Sequence, residues 1–135
     1  MKLEVIIIDD DEIITYMQKS LVEECGLASE PRTFADGKDA LNFFKEQDPA
    51  GKAFLLLLDI NMPEMSGWEF LDGIKTLSSY GMFDLYVIMV TSSVNSDDKR
   101  TALRYDEVIG FIEKPMDLAI CAKIKEFPQI SGYFE

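Results

Sequence analysis

Histidine is absent from this 135-residue chain. Its absence removes imidazole general bases, Ser-His-Asp triads and the zinc sites that need imidazole. It also means that the chain cannot itself carry a phosphohistidine. Cysteine is almost absent. Cys25 and Cys121 lie far apart in the chain without metal-ligand spacing, so they read as small apolar fillers on helices. Basic residues are few: 13 Lys and Arg against 25 Asp and Glu give a net charge of -12. That balance argues against binding nucleic acid or inserting into an anionic membrane, because such surfaces demand clustered Lys and Arg. No apolar run approaches the roughly 20 residues of a membrane span. The start, Met1-Lys2-Leu3-Glu4, leads into a short apolar stretch ending in three aspartates, which is not a signal peptide. A cytoplasmic location is the default expectation. Internal repeats, low-complexity tracts and Pro/Gly/Ser linkers are also missing.

What is present is enough apolar material, 47% of residues, to fill the core of one domain. Short apolar runs alternate with amphipathic segments. Leu3 to Ile8, rich in β-branched residues, predicts a strand buried on both faces. Ile13, Ile14, Met17, Leu21 and Val22 form a helical stripe over Glu12 to Cys25, closed by Gly26. A second strand is expected near Glu30 to Phe34, and a helix from Lys38 to about Lys45. Next come a strand at Ala53 to Leu58 and a helix from Gly67 to about Leu77. The last two strand-helix pairs are Leu85 to Val90 with Asp97 to Tyr105, and Val108 to Ile112 with Asp117 to Lys125. Five strands alternating with five helices argue for a parallel sheet covered on both faces. Ligands of such sheets bind beyond the carboxyl ends of the strands.

Those ends carry Asp9, Asp10 and Asp11 after the first strand and Asp59 after the third. Thr91, Ser92 and Ser93 follow the fourth, and Glu113, Lys114 and Pro115 the fifth. Crowded carboxylates raise one another's pKa, and a divalent cation relieves the repulsion. Oxygen ligands alone select a hard ion such as Mg²⁺. A carboxylate between such an ion and a lysine can act as a nucleophile toward a phosphoryl group. Singly, each residue has an ordinary explanation: Asp11 as a helix N-cap, Asp59 as a turn former, Lys114-Pro115 as a loop. Their convergence at four strand ends is what points to a site.

At these residues the chain resembles the receiver domains of two-component response regulators, from Val5 to about Phe127. The stretch Leu55-Leu56-Leu57-Leu58-Asp59-Ile60-Asn61-Met62-Pro63-Glu64-Met65-Ser66-Gly67 matches the family's strand, phosphoacceptor loop and closing glycine. Ile6-Ile7-Ile8-Asp9-Asp10-Asp11 matches its acidic pair, Val90-Thr91-Ser92 its hydroxyl position, and Phe111-Ile112-Glu113-Lys114-Pro115 its lysine-proline motif. The resemblance implies a flavodoxin-like (βα)5 α/β fold, doubly wound, with strand order 2-1-3-4-5. It implies Asp59 as phosphoacceptor, with Mg²⁺ held by Asp10, Asp59 and the Asn61 carbonyl, and by Asp9 through a water. Lys114 would contact Asp59 and then the phosphoryl oxygens, and the Lys114-Pro115 bond would be cis. Thr91 would bind the phosphoryl group, and Phe111 would turn inward as Thr91 moves. Asn61 and Ser93 stand where the family tunes the lifetime of the aspartyl phosphate.

The implied function is a phosphorelay switch, not a turnover enzyme. It would be phosphorylated by a histidine kinase or histidine phosphotransfer protein and would present its α4-β5-α5 face to a downstream protein. It would act as a monomer or a phosphorylation-dependent dimer. The expected division is a receiver domain over 1-127, stand-alone, with a tail over 128-135 that packs back or is disordered; Pro128 is expected to stop the last helix. Where the family often has small Gly or Ala residues just before the fifth strand, this chain has Tyr105-Asp106-Glu107-Val108, leaving open the length of the fourth helix and the shape of the output face. Trp68 is expected to pack at the start of the third helix, and Leu41, Phe43 and Phe44 within the core. Two rivals stand. Asp9-x-Asp11 superficially resembles haloacid-dehalogenase phosphohydrolases, although the chain is short for that fold. A degenerate receiver would serve only for docking.

Overall fold

Five apolar runs form the strands β1 (Leu3–Ile8), β2 (Arg32–Phe34), β3 (Ala53–Asp59), β4 (Asp84–Thr91) and β5 (Val108–Glu113). Between and after them run α1 (Glu12–Glu24), α2 (Gly37–Glu46), α3 (Gly67–Lys75), α4 (Ser96–Ala102) and α5 (Leu118–Ile124). The computed structural model describes residues 2–48, 50–92 and 94–134. All strands pair in parallel, in the order β2-β1-β3-β4-β5. This is the flavodoxin-like order expected, with β1 and β3 flanking the point where the winding reverses.

Every residue of the central strand β3 is buried. Alternate side chains therefore feed two cores. On one face Ile6, Ile8, Leu56, Leu58 and Met89 pack under Ala40 and Phe44 of α2 and Phe70, Leu71 and Ile74 of α3. On the other, Val5, Ile7, Leu55, Leu57 and Val90 pack under Val22 of α1 and Cys121 and Ile124 of α5. Phe44 lies between Phe54 and Phe83, while Leu41 and Phe43 are partly buried against the same core.

Each helix starts on a side chain that accepts hydrogen bonds from its first turn. These are Asp11, Asp36, Ser66, Asn95 and Asp117, and Ser66 forms a reciprocal capping box with Glu69. Gly26, at φ +80, leads the chain away from α1.

Several boundaries differ from the sequence reading, and three of them have a clear physical cause. β2 begins only at Arg32, because Pro31 has no N–H for the ladder. α4 stops at Ala102 because Tyr105 turns inward to become a buried residue. α5 ends at Ile124, before Pro128, through turns closed by Glu126 N–H to Lys123 O and Phe127 N–H to Ile124 O. The residues beyond fold back: Ile130 is fully buried, and the Tyr133 hydroxyl lies 3.2 Å from that of Tyr86. Ser131–Phe134 form a 3₁₀ turn.

Candidate phosphoacceptor and metal site

β1 and β3 are neighbours in register, with Ile8 opposite Leu58. The next residue on each, Asp9 and Asp59, therefore emerges at the same level of the sheet edge. Asp11 is spent on capping α1: its Oδ1 accepts from Ile13 N–H at 2.9 Å and Ile14 N–H at 3.2 Å. Asp9, Asp10 and Asp59 remain, and each offers a carboxylate oxygen within 4.8 Å of the other two. Asp9 and Asp59 are buried, at 2% and 5% exposure, while Asp10 faces solvent. Oδ1 of Asp9 accepts from the Asp11 N–H at 2.9 Å, and Oδ1 of Asp59 from the Asn61 N–H at 3.2 Å.

Lys114 reaches this cluster from the end of β5. Its Nζ lies 2.7 Å from Asp9 Oδ2 and 3.4 Å from Asp59 Oδ2. The tighter partner is thus Asp9, a pairing that sequence reading missed. Two strands separate β1 from β5 in the sheet, so nothing local in the chain joins the two residues. The Lys114 N–H donates to Thr91 O at 2.7 Å, which ties the lysine's backbone to the end of β4, and the Lys114–Pro115 bond is cis. Thr91 is buried one residue past Val90, the register partner of Asp59. Phe111 is half-buried opposite Met89 and packs against the α2/α3 core. Ser93 lies outside the described residues.

The electrostatics follow from burial. Desolvation, followed by the adjacent Asp9 charge, pushes the Asp59 carboxyl up to about 6 from an ordinary 3.8; a hydrogen bond with Asp10 adds to the rise. Lys114 and the Asn61 N–H pull it back. Burial also disfavours the Lys114 ammonium, but Asp9 and Asp59 together outweigh it and hold its pKa above the ordinary value. The pocket thus holds more negative charge than its single ammonium neutralises.

The loop after β3 is built to keep Asp59 in place. Glu64 adopts φ 67, a left-handed conformation uncommon for a side-chain-bearing residue. A Cβ on Gly67 would stand 2.6 Å from the Asp59 carbonyl oxygen, so only glycine lets α3 start this close. Gly67 N–H donates to Ile60 O at 2.8 Å and closes the loop.

The donor set suits Mg²⁺. Three carboxylates converge, and among the described residues no nitrogen or sulfur ligand joins the cluster. Asp9 Oδ2 is buried, and although Lys114 Nζ is close, it accepts no hydrogen bond of good geometry among the described residues. An oxygen with unspent lone pairs in an anionic pocket is what a hard cation satisfies.

Residues 5–125 match the family model of the response regulator receiver domain. The chain belongs to that family. The receiver domain is 32% identical, over 84% of its own length, to the cyclic di-GMP phosphodiesterase response regulator RpfG of Xanthomonas campestris, but the match spans only 28% of RpfG. Among solved structures it resembles a two component response regulator from Cytophaga hutchinsonii, with TM-score 0.80, 25% identity, and coverage of 98% of this chain and 99% of that one. It also superposes on the receiver domain of sensor histidine kinase PA1611 from Pseudomonas aeruginosa, described with a magnesium ion coordinated in the active site cleft. That match has TM-score 0.69 and 17% identity, and it covers 94% of this chain and 98% of that one. The receiver domain has, among the described residues, no helix long and apolar enough to cross a membrane.

Proposed function

We propose that this receiver domain accepts a phosphoryl group on Asp59 from a phosphohistidine donor and passes the signal on by protein contact. The observation that carries this reading is the cluster itself: three carboxylates within 4.8 Å, two of them buried, with one ammonium 2.7 Å and 3.4 Å from the buried pair. An Asp59 carboxylate oxygen attacks phosphorus, the P–N bond of the donor breaks, and the imidazole leaves with the bonding pair. Lys114 meets the charge on the transferring oxygens. Asp9, Asp10 and Asp59 would hold Mg²⁺, with the Asn61 carbonyl as a further oxygen ligand. Bound there, the ion neutralises phosphoryl charge that Lys114 alone cannot.

The donor's surface is the start of α1. Ile13 and Tyr16 are 72% and 73% exposed, only a few residues beyond Asp10. Met17 and Leu118 extend the same apolar patch toward α5. A helix carrying the donor histidine can bury this patch while presenting its phosphoryl group to the pocket. The added phosphoryl group brings roughly −1.5 to −2 charges and three acceptor oxygens. Thr91 and Lys114 are drawn to it, Phe111 fills the space released, and the face of α4, β5 and α5 changes for a downstream protein.

Incubation with acetyl phosphate and Mg²⁺, followed by intact mass and peptide mapping, tests the reading. One added phosphoryl group should map to Asp59, and Asp59→Asn should remain unmodified. Modification of Asp59→Asn together with its loss in Asp9→Asn would transfer the chemistry to Asp9. Failure of the native chain to bind Mg²⁺ by calorimetry would leave a docking module only.

A further inference from the structure

Cys25 and Cys121 are 96 residues apart in the chain, yet their Sγ atoms lie 2.8 Å apart. Both are free thiols. Cys25 caps the C-terminus of α1, with its N–H donating to Leu21 O, and Cys121 sits in α5, with its N–H donating to Asp117 O. Helical backbone therefore holds both sulfurs. The two helices are also tied at this point by Lys125, whose Nζ donates to the Cys25 carbonyl at 2.7 Å. Cys25 is half-buried, whereas Cys121 is fully buried. Burial, reinforced by the neighbouring Cys25, pushes the Cys121 thiol well above the ordinary range. The half-exposed sulfur is therefore the one an oxidant meets first, and the buried one is positioned to resolve it.

We propose that Cys25 and Cys121 form a reversible redox pair, closed to an intramolecular disulfide by a peroxide and reopened by a dithiol. In the first step the Cys25 thiolate attacks one peroxide oxygen. The O–O bond breaks, and Cys25 becomes a sulfenic acid as hydroxide leaves. In the second, the Cys121 sulfur attacks the Cys25 sulfur; the S–O bond breaks, and the released hydroxyl takes the Cys121 proton to form water. The two sulfurs together lose two electrons and the peroxide gains two. The separation has to close by less than an ångström to reach a bond of about 2.05 Å, so little backbone movement is needed. The bridge fastens the end of α1 far from Asp10 to α5, and it closes most of the chain into one loop.

The test treats the native 135-residue chain with hydrogen peroxide, then alkylates and digests it without reduction. A linked Cys25–Cys121 peptide is expected, with loss of two hydrogens in intact mass and full reversal by dithiothreitol. Formation should be at least about tenfold faster in the folded chain than in urea, because folding holds the sulfurs at high effective concentration. The oxidised chain should melt at a higher temperature than the reduced one, and Cys25→Ala should show neither the bridge nor the shift. Two alkylatable thiols remaining, Cys25 sulfinic acid without a linked peptide, a bridge between two chains, or slower closure in the folded state would each overturn the proposal.

Discussion

Asp59 is held in a place that disfavours its own charge. Its carboxyl is lifted to about 6 from 3.8, first by burial and then by Asp9. The folded state therefore binds the proton more tightly than the unfolded chain does. The stability this group contributes is full below about pH 4, and it is lost as pH rises through about 6. In Mg²⁺-free buffer at pH 7.5, Asp59→Asn should therefore be more stable than the parent, by about 1–2 kcal/mol. Urea denaturation at pH 7.5 and pH 4 measures it: the advantage should shrink at the lower pH, and an equal advantage at both would contradict the electrostatic cause. Lys114 has the opposite role, since it offsets two buried carboxylates at once. Replacing it as Lys114→Met should slow Asp59 phosphorylation by acetyl phosphate by about 10²-fold at saturating Mg²⁺. An unchanged time course by intact mass would remove the lysine from the chemistry.

At the scale of elements, the sharpest constraint is the β3–α3 loop. A methyl group on Gly67 would meet a backbone oxygen, which cannot rotate out of the way as a side chain could. Gly67→Ala should destabilise the domain by about 1–3 kcal/mol and displace Asp59 relative to Asp9. A variant that kept both its melting temperature and its phosphorylation rate would show that the loop tolerates the shift. The other notable element is the segment after α4. Tyr105 stacks on Trp68 with ring centroids 5.3 Å apart, donates to Asp72 at 2.8 Å, and lies under the Lys75 ammonium. This residue fastens the α4–β5 connection to α3. Tyr105→Phe should cost about 0.5–1.5 kcal/mol through the lost hydrogen bond and leave Trp68 fluorescence little changed, because the stacked ring remains.

For the whole molecule, an ion bound by the acidic cluster would couple to folding. A ligand that binds only the folded state stabilises it by mass action, by about 2.7 kcal/mol at a hundredfold excess over Kd. The melting temperature of the parent should climb by several degrees as Mg²⁺ is raised and return on chelation. Asp10→Asn and Asp59→Asn should flatten that response in thermal scans, although Asp10 is exposed and contributes little to packing. A net charge of -12 makes monovalent salt a necessary control, since screening alone relieves part of the repulsion.

The chain's alternation of apolar runs and amphipathic stripes determined the five strands, the five helices and the parallel sheet, because burial on two faces demands continuous Val, Ile and Leu runs such as Leu55 to Leu58. The acidic and lysine-proline motifs were likewise visible in sequence, since each follows a strand directly and every strand points the same way. Other features were decided only when distant elements met. Lys114 pairs more closely with Asp9 than with Asp59, although two strands lie between β1 and β5, because its side chain reaches along the common sheet edge. Tyr105 cuts α4 short because Trp68 and Asp72 of α3 offer it a better place than solvent. Cys25 and Cys121 touch because α1 and α5 share one face of the sheet. Periodicity reports which face of an element is buried; it carries no information on which residue of another element will lie against it.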